Sequence, residues 1–146
     1  MIDLHPSMSG LPLAGALLLV VSELMCCVPR IRHSRAVVQT TAVIACVVTV
    51  LAAFLSGYQA SSRAGELSGV VETAMANHHS LGRWLLINSL LLATFFFLSR
   101  VAVHGKRVVR ALYYVSFIVQ VVGTVWVGYL GGRLVFEHAV NVAKIQ

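Results

Sequence analysis

Four long apolar runs, 11–28, 36–58, 81–99 and 111–130, leave this chain few ways to fold. Each holds eighteen residues or more and almost no charge. At about 1.5 Å of rise per residue, each makes a helix long enough for the roughly 30 Å hydrocarbon core of a bilayer. Inside lipid the backbone must satisfy its own polar groups, and a helix does so within one segment. The pattern predicts an all-α membrane protein, a single four-transmembrane-helix bundle over 1–146. Composition agrees, with 58% hydrophobic and only 11% charged residues. A soluble domain carries about 25% charged residues, and so small a chain has no core large enough to hide this much apolar surface.

The segments between the runs carry the remaining signals. Residues 1–10 are polar and lack the basic stretch of a secretory signal peptide. Pro29 closes the first run, because proline has no N–H for the helix ladder. Residues 59–80 form the long connector. Within it Leu67, Val70, Val71, Ala74, Met75 and His78 recur at helical spacing, which predicts a short surface helix between spans 2 and 3.

Charge sets the orientation. The connectors after spans 1 and 3 hold Arg30, Arg32, Arg35, Arg100, Lys106, Arg107 and Arg110 and no acid. The other side balances Arg63, Arg83, Arg133 and Lys144 with Asp3, Glu66, Glu72 and Glu137. Basic short loops stay in the cytoplasm. Both termini and the long connector are therefore expected on the outer (periplasmic) side of a bacterial inner membrane. The net charge of +6 is no sign of nucleic acid, because these cations border apolar runs and form no face with interleaved aromatics. Cys26, Cys27 and Cys46 form no CxxC or CxxCH. That excludes covalent c-type haem attachment and a thiolate zinc site on spacing, and leaves them as small apolar packers.

With that orientation His5, His78, His79 and His138 come to one membrane edge, delivered by three of the four helices, while His33 and His104 sit in the basic connectors. Neutral imidazole is the usual nitrogen ligand for haem iron, copper and zinc. Two histidines from different helices can hold a b-type haem without covalent attachment. For each residue alone, the alternative is an imidazole solvated or bonded to headgroups at the interface. Glu23 is the one acid inside an apolar run, where a charge costs several kcal/mol unless it is neutralised or paired. It reads either as a proton-handling group beside a quinone or as a structural hydrogen-bond acceptor, with Gln39 and the cytoplasmic arginines as partners. The fourth run carries Ser116, Gln120, Gly123, Thr124, Gly128, Gly131 and Gly132. Of these, Gly123, Gly128 and Gly132 are expected to let a neighbouring helix, or a flat macrocycle, come close. Trp84, Tyr113, Tyr114, Trp126 and Tyr129 read as interface anchors.

The run GGRLVFEHAVNV (Gly131–Val142) resembles the four-helix membrane family catalogued as domain of unknown function 2231. Members end helix 4 with Gly-Gly-x-Leu-Val-Tyr-x-His-Gly-Val-x-Val. Gly131, Gly132, Leu134, Val135, His138, Val140 and Val142 match, while Phe136 replaces the tyrosine and Ala139 the glycine. His5, Pro6, Pro12 and Glu23 fit the family's opening, with Gly10 where a second histidine stands. A histidine entering helix 3 and Arg100 leaving it fit as well. The resemblance implies a four-span bundle associated with membrane electron transfer and b-type haem, with His138 and either His5 or His79 as ligands. It also implies partners such as other membrane redox subunits, c-type cytochromes or iron–sulfur proteins on the outer side.

Three functions follow as expectations. The first is a haem-b electron-transfer subunit working between a quinol pool and an outer-face partner, inside a larger respiratory or photosynthetic complex. The second is a cofactor-free structural subunit of a membrane complex. The third is an outer-face copper-handling protein using His5, Met8, Met75, His78 and His79, since thioether and imidazole suit copper(I). Nothing points to an enzyme acting alone: there is no Ser/His/Asp order, paired carboxylate, phosphate loop or HExxH.

Overall fold

The computed structural model describes residues 10–28, 34–61, 69–101 and 104–136, and every regular element in them is a helix. These are α1 (Leu11–Met25), α2 (Arg35–Ser61), α3 (Gly69–Val101) and α4 (Lys106–Phe136). Helices α2, α3 and α4 are each long and apolar enough to cross a membrane.

Three helices differ from the sequence reading; the simplest case is α4, which extends the expected 111–130 span at both ends, to Lys106 and Phe136. Helix α1 has 15 residues, not the expected run to Val28. At about 1.5 Å per residue it is roughly 22 Å long, short of a full hydrocarbon core. Beyond Met25 the chain tightens, with the Cys27 and Val28 amides donating to the carbonyls of Leu24 and Met25, three residues back. This is the narrower winding that helices adopt at their ends, here just ahead of Pro29. The third difference is in α3, which begins at Gly69 and runs 33 residues. The expected separate surface helix is instead the first turns of α3. No proline or helix-stopping cap lies between 69 and 81, and a helix already nucleated extends at little cost.

Helix α4 starts behind Gly105, whose φ of 71° is the left-handed conformation that glycine tolerates. The Gly105 carbonyl accepts from the Val109 amide at 3.1 Å and so opens the helix.

Contacts define an antiparallel ring. Gly15 meets Cys46 and Thr49, and Glu23 meets Gln39, so α1 and α2 run in opposite directions. Arg100 reaches Gln39, and Gly82 lies beside Phe54, which reverses α3 against α2. Asn88 faces Gln120 and Gly131 faces His78, which reverses α4 against α3. Packing is richest between α3 and α4 and thinnest between α1 and α4.

The bundle buries a set of polar side chains within an apolar core and leaves many large apolar side chains outside. Leu19, Val43, Cys46, Leu92 and Phe96 form the core together with buried Ser22, Gln39, Ser89, Ser116, Gln120 and Thr124. Leu17, Leu24, Leu51, Leu91, Ile118 and Val122 point outward and are exposed. That arrangement suits lipid, where apolar side chains gain nothing by hiding and polar ones must find partners within the bundle. Ser22 and Ser89 find them locally, each donating at 2.8 Å to a carbonyl of its own helix.

Candidate functional site

One end of the bundle is closed by a polar clamp. Glu23 Oε1 accepts hydrogen bonds from Gln39 Nε2 at 2.8 Å and from the Tyr113 hydroxyl at 2.7 Å. Gln39 Oε1 in turn accepts from the Arg100 guanidinium, which also lies over the Phe96 ring, 4.9 Å from its centroid. Each of the four helices supplies one member. The expected Glu23–Gln39 partnership is present, and an arginine reaches it through Gln39. Tyr113 departs from its expected place as an interface anchor. It is buried, because its hydroxyl has the Glu23 carboxylate to reach. A carboxylate with two donors on one oxygen is suited to tying helices together.

Midway along the bundle, Asn88 Nδ2 donates to the Ser116 carbonyl at 3.0 Å and to Gln120 Oε1 at 2.9 Å. Gln120 is fully buried beside the Cys46 thiol. Among the described residues Gln120 Nε2 and Thr124 Oγ1 have no hydrogen-bond partner. The sequence reading passed over Asn88, although a carboxamide within an apolar run is itself the signal.

The other end opens into a cavity of about 670 Å³ bordered by all four helices, with His78, His79, Phe54, Thr124, Gly128 and Gly132 in its wall. Its volume is in the range of ligand and cofactor sites, roughly 300–1,000 Å³, and its lining is mostly apolar as such sites usually are. The glycines of α4 divide by role. Gly123 packs as expected, since a Cβ there would stand 3.0 Å from Leu85 Cδ1. No helix of this chain packs on Gly128 or Gly132, since a Cβ at either would meet nothing within 4 Å. The cavity, and not a neighbouring helix, occupies that side. Gly131 makes room for an imidazole: a Cβ there would lie 3.1 Å from His78 Cε1.

His78 and His79 sit together on α3, their ring centroids 6.1 Å apart and their planes 74° from parallel. Successive residues on a helix diverge by about 100°. The two therefore cannot flank one planar macrocycle from opposite sides, and one of them at most offers an axial nitrogen. His5 and His138, the other members of the expected ligand set, lie outside the described residues, as does Met8 of the copper set. His104 lies on the connector at the clamp end. Met75 shares α3 with both histidines, one turn earlier. Among the described residues no group of three or more His, Cys, Asp or Glu side chains is placed to hold a metal ion.

In comparisons with known proteins, no family model, curated protein or solved structure matches this chain.

Proposed function

We propose that this chain is an integral-membrane b-type haem subunit that relays electrons between a quinol pool and an outer-face redox partner within a larger complex. The observation that carries the reading is the apolar cavity with imidazoles on its α3 wall and a wall free of side chains at Gly128 and Gly132 on α4. A flat, largely apolar macrocycle suits such a space, and imidazole nitrogen suits its iron. One of His78 and His79 would supply an axial ligand. The second would come from His138 or His5, which the charge-derived orientation assigns to the same membrane edge. Haem, when bound, supplies one-electron chemistry, and the protein supplies orientation and a low-dielectric sheath. Gly131 leaves the His78 ring its place, and Phe54 adds to the apolar wall of the same cavity.

The test is a reduced-minus-oxidised absorbance spectrum of the detergent-purified protein, produced in cells with ample haem. Haem b bands are expected, and a His78→Ala/His79→Ala variant should lose most bound pigment while keeping its helical circular dichroism. Protein that carries no such bands in the wild-type form would sink the proposal.

A second reading, a cofactor-free structural subunit, is favoured by the Glu23 clamp, which ties four helices with no help from a ligand. It predicts that the same double variant leaves assembly with partner subunits unchanged.

A further inference from the structure

The clamp end of the bundle carries a charge imbalance that the clamp does not relieve. Among the described residues it holds Arg35, Arg100, Lys106, Arg107 and Arg110 against one carboxylate, Glu23. That carboxylate takes its hydrogen bonds from two neutral donors, Gln39 and Tyr113, and Arg100 is bonded to the neutral Gln39 amide. Gln39 of α2 and Tyr113 of α4 donate to the same Glu23 oxygen, and Arg35 and Arg110 lie about one helical turn before them, at the same end of the bundle. Both arginines are exposed. The Tyr113–Glu23 bond joins α4 to α1 here, with the exposed Tyr114 beside it, at the most thinly packed seam of the ring. On α4 the exposed Ile118 and Val125 share the Tyr114 face at helical spacing, and α1 exposes Leu17 and Leu24, so apolar surface continues from there toward the middle of the bundle.

We infer that this corner is a binding site for a doubly anionic phospholipid such as diphosphatidylglycerol, its phosphates held by Arg35 and Arg110 beside Tyr114 and its acyl chains laid along the α1–α4 seam. Guanidinium is the side chain best matched to phosphate oxygens. Basic pockets between transmembrane helices are where anionic headgroups settle. An acidic soluble protein would also answer the charge. The lipid is favoured because the cations stand directly above apolar helix faces, which a headgroup and its chains match together. The site lies at the opposite end from the histidine cavity and does not depend on any cofactor.

The experiment is native mass spectrometry and thermal unfolding of the detergent-purified full chain with added tetraoleoyl diphosphatidylglycerol, dioleoyl phosphatidylcholine or inorganic phosphate. Retention of one diphosphatidylglycerol and a raised Tm are expected with that lipid alone. The Arg35→Gln/Arg110→Gln variant should bind it roughly 30-fold more weakly, from the usual contribution of two basic residues near an anionic surface. Arg83→Gln, which removes an exposed cation from the histidine end, should bind as the wild type does. Should the double variant fail to fold, Arg35→Lys/Arg110→Lys keeps the charge and must retain the lipid, with a Tm gain that shrinks as salt is raised. Equal stabilisation by phosphatidylcholine or phosphate overturns the inference. So does an equal loss in Arg83→Gln. Undiminished binding in the double glutamine variant overturns it too and leaves the cations to an acidic protein.

Discussion

Gly15 and Gly128 are both small residues within membrane-type helices, and only their surroundings separate them. A Cβ at Gly15 would press on the Thr49 side chain and come within 3.0 Å of the Cys46 Cα, so backbone has to move. Gly15→Val is expected to lower stability by about 1–3 kcal/mol, the usual cost of overpacking, read as a lower Tm in detergent. At Gly128 the space is open. Gly128→Leu should leave Tm nearly unchanged while filling the cavity, and on the haem reading it should expel pigment. A Tm loss as large as that of Gly15→Val would show that Gly128 is a packing residue after all. The sequence reading left Gly128 and Gly132 open to a neighbouring helix or a flat macrocycle, because spacing does not say what the glycine face looks at.

Among the elements, two hydrogen-bonded nodes hold the helices in register, and they respond differently to change. Removing the Glu23 carboxylate strands Gln39 Nε2 and the Tyr113 hydroxyl, each a buried group whose unmet bond costs about 1–3 kcal/mol. Glu23→Ala should therefore lower Tm clearly, and Glu23→Gln, which keeps an acceptor oxygen, should lower it less. At the Asn88 node the sign differs by partner. Asn88→Leu strips the fully buried Gln120 Oε1 of its donor and should destabilise the bundle. Gln120→Leu removes an amide nitrogen that has no partner, while Asn88 keeps the Ser116 carbonyl, so it should be close to neutral. Thermal unfolding of the pair in detergent checks the order, and a Gln120→Leu loss equal to that of Asn88→Leu would refute it. Glu23 and Gln39 were legible as partners because both are polar residues within apolar runs. Tyr113 was not, since an aromatic near a helix end looks the same whether it faces a headgroup or a carboxylate.

For the molecule as a whole, the antiparallel ring separates a histidine-bearing end with a cavity from a basic end with a clamp. If the basic connectors lie in the cytoplasm, as lysine–arginine placement predicts, the cavity opens to the outer side. Alkaline phosphatase fused after Gln146 is expected to be active and the same enzyme fused at His104 inactive. The reverse pattern would place the histidine end inside and remove the outer-face redox partner from consideration.

The sequence by itself determined that the chain is helical and that its long helices are apolar enough to cross a membrane. Length, hydropathy and lysine–arginine placement act locally, and a run of apolar residues has one way to satisfy its backbone in lipid. The tertiary structure alone decided where α1 stops, that α3 runs unbroken through 69–80, and which glycines face a cavity. It also placed Tyr113, Glu23, Gln39 and Arg100 on one chain of bonds. The reason is physical: in lipid the outer faces of helices carry little information, and the inner ones become distinguishable only when another helix supplies or withholds a partner.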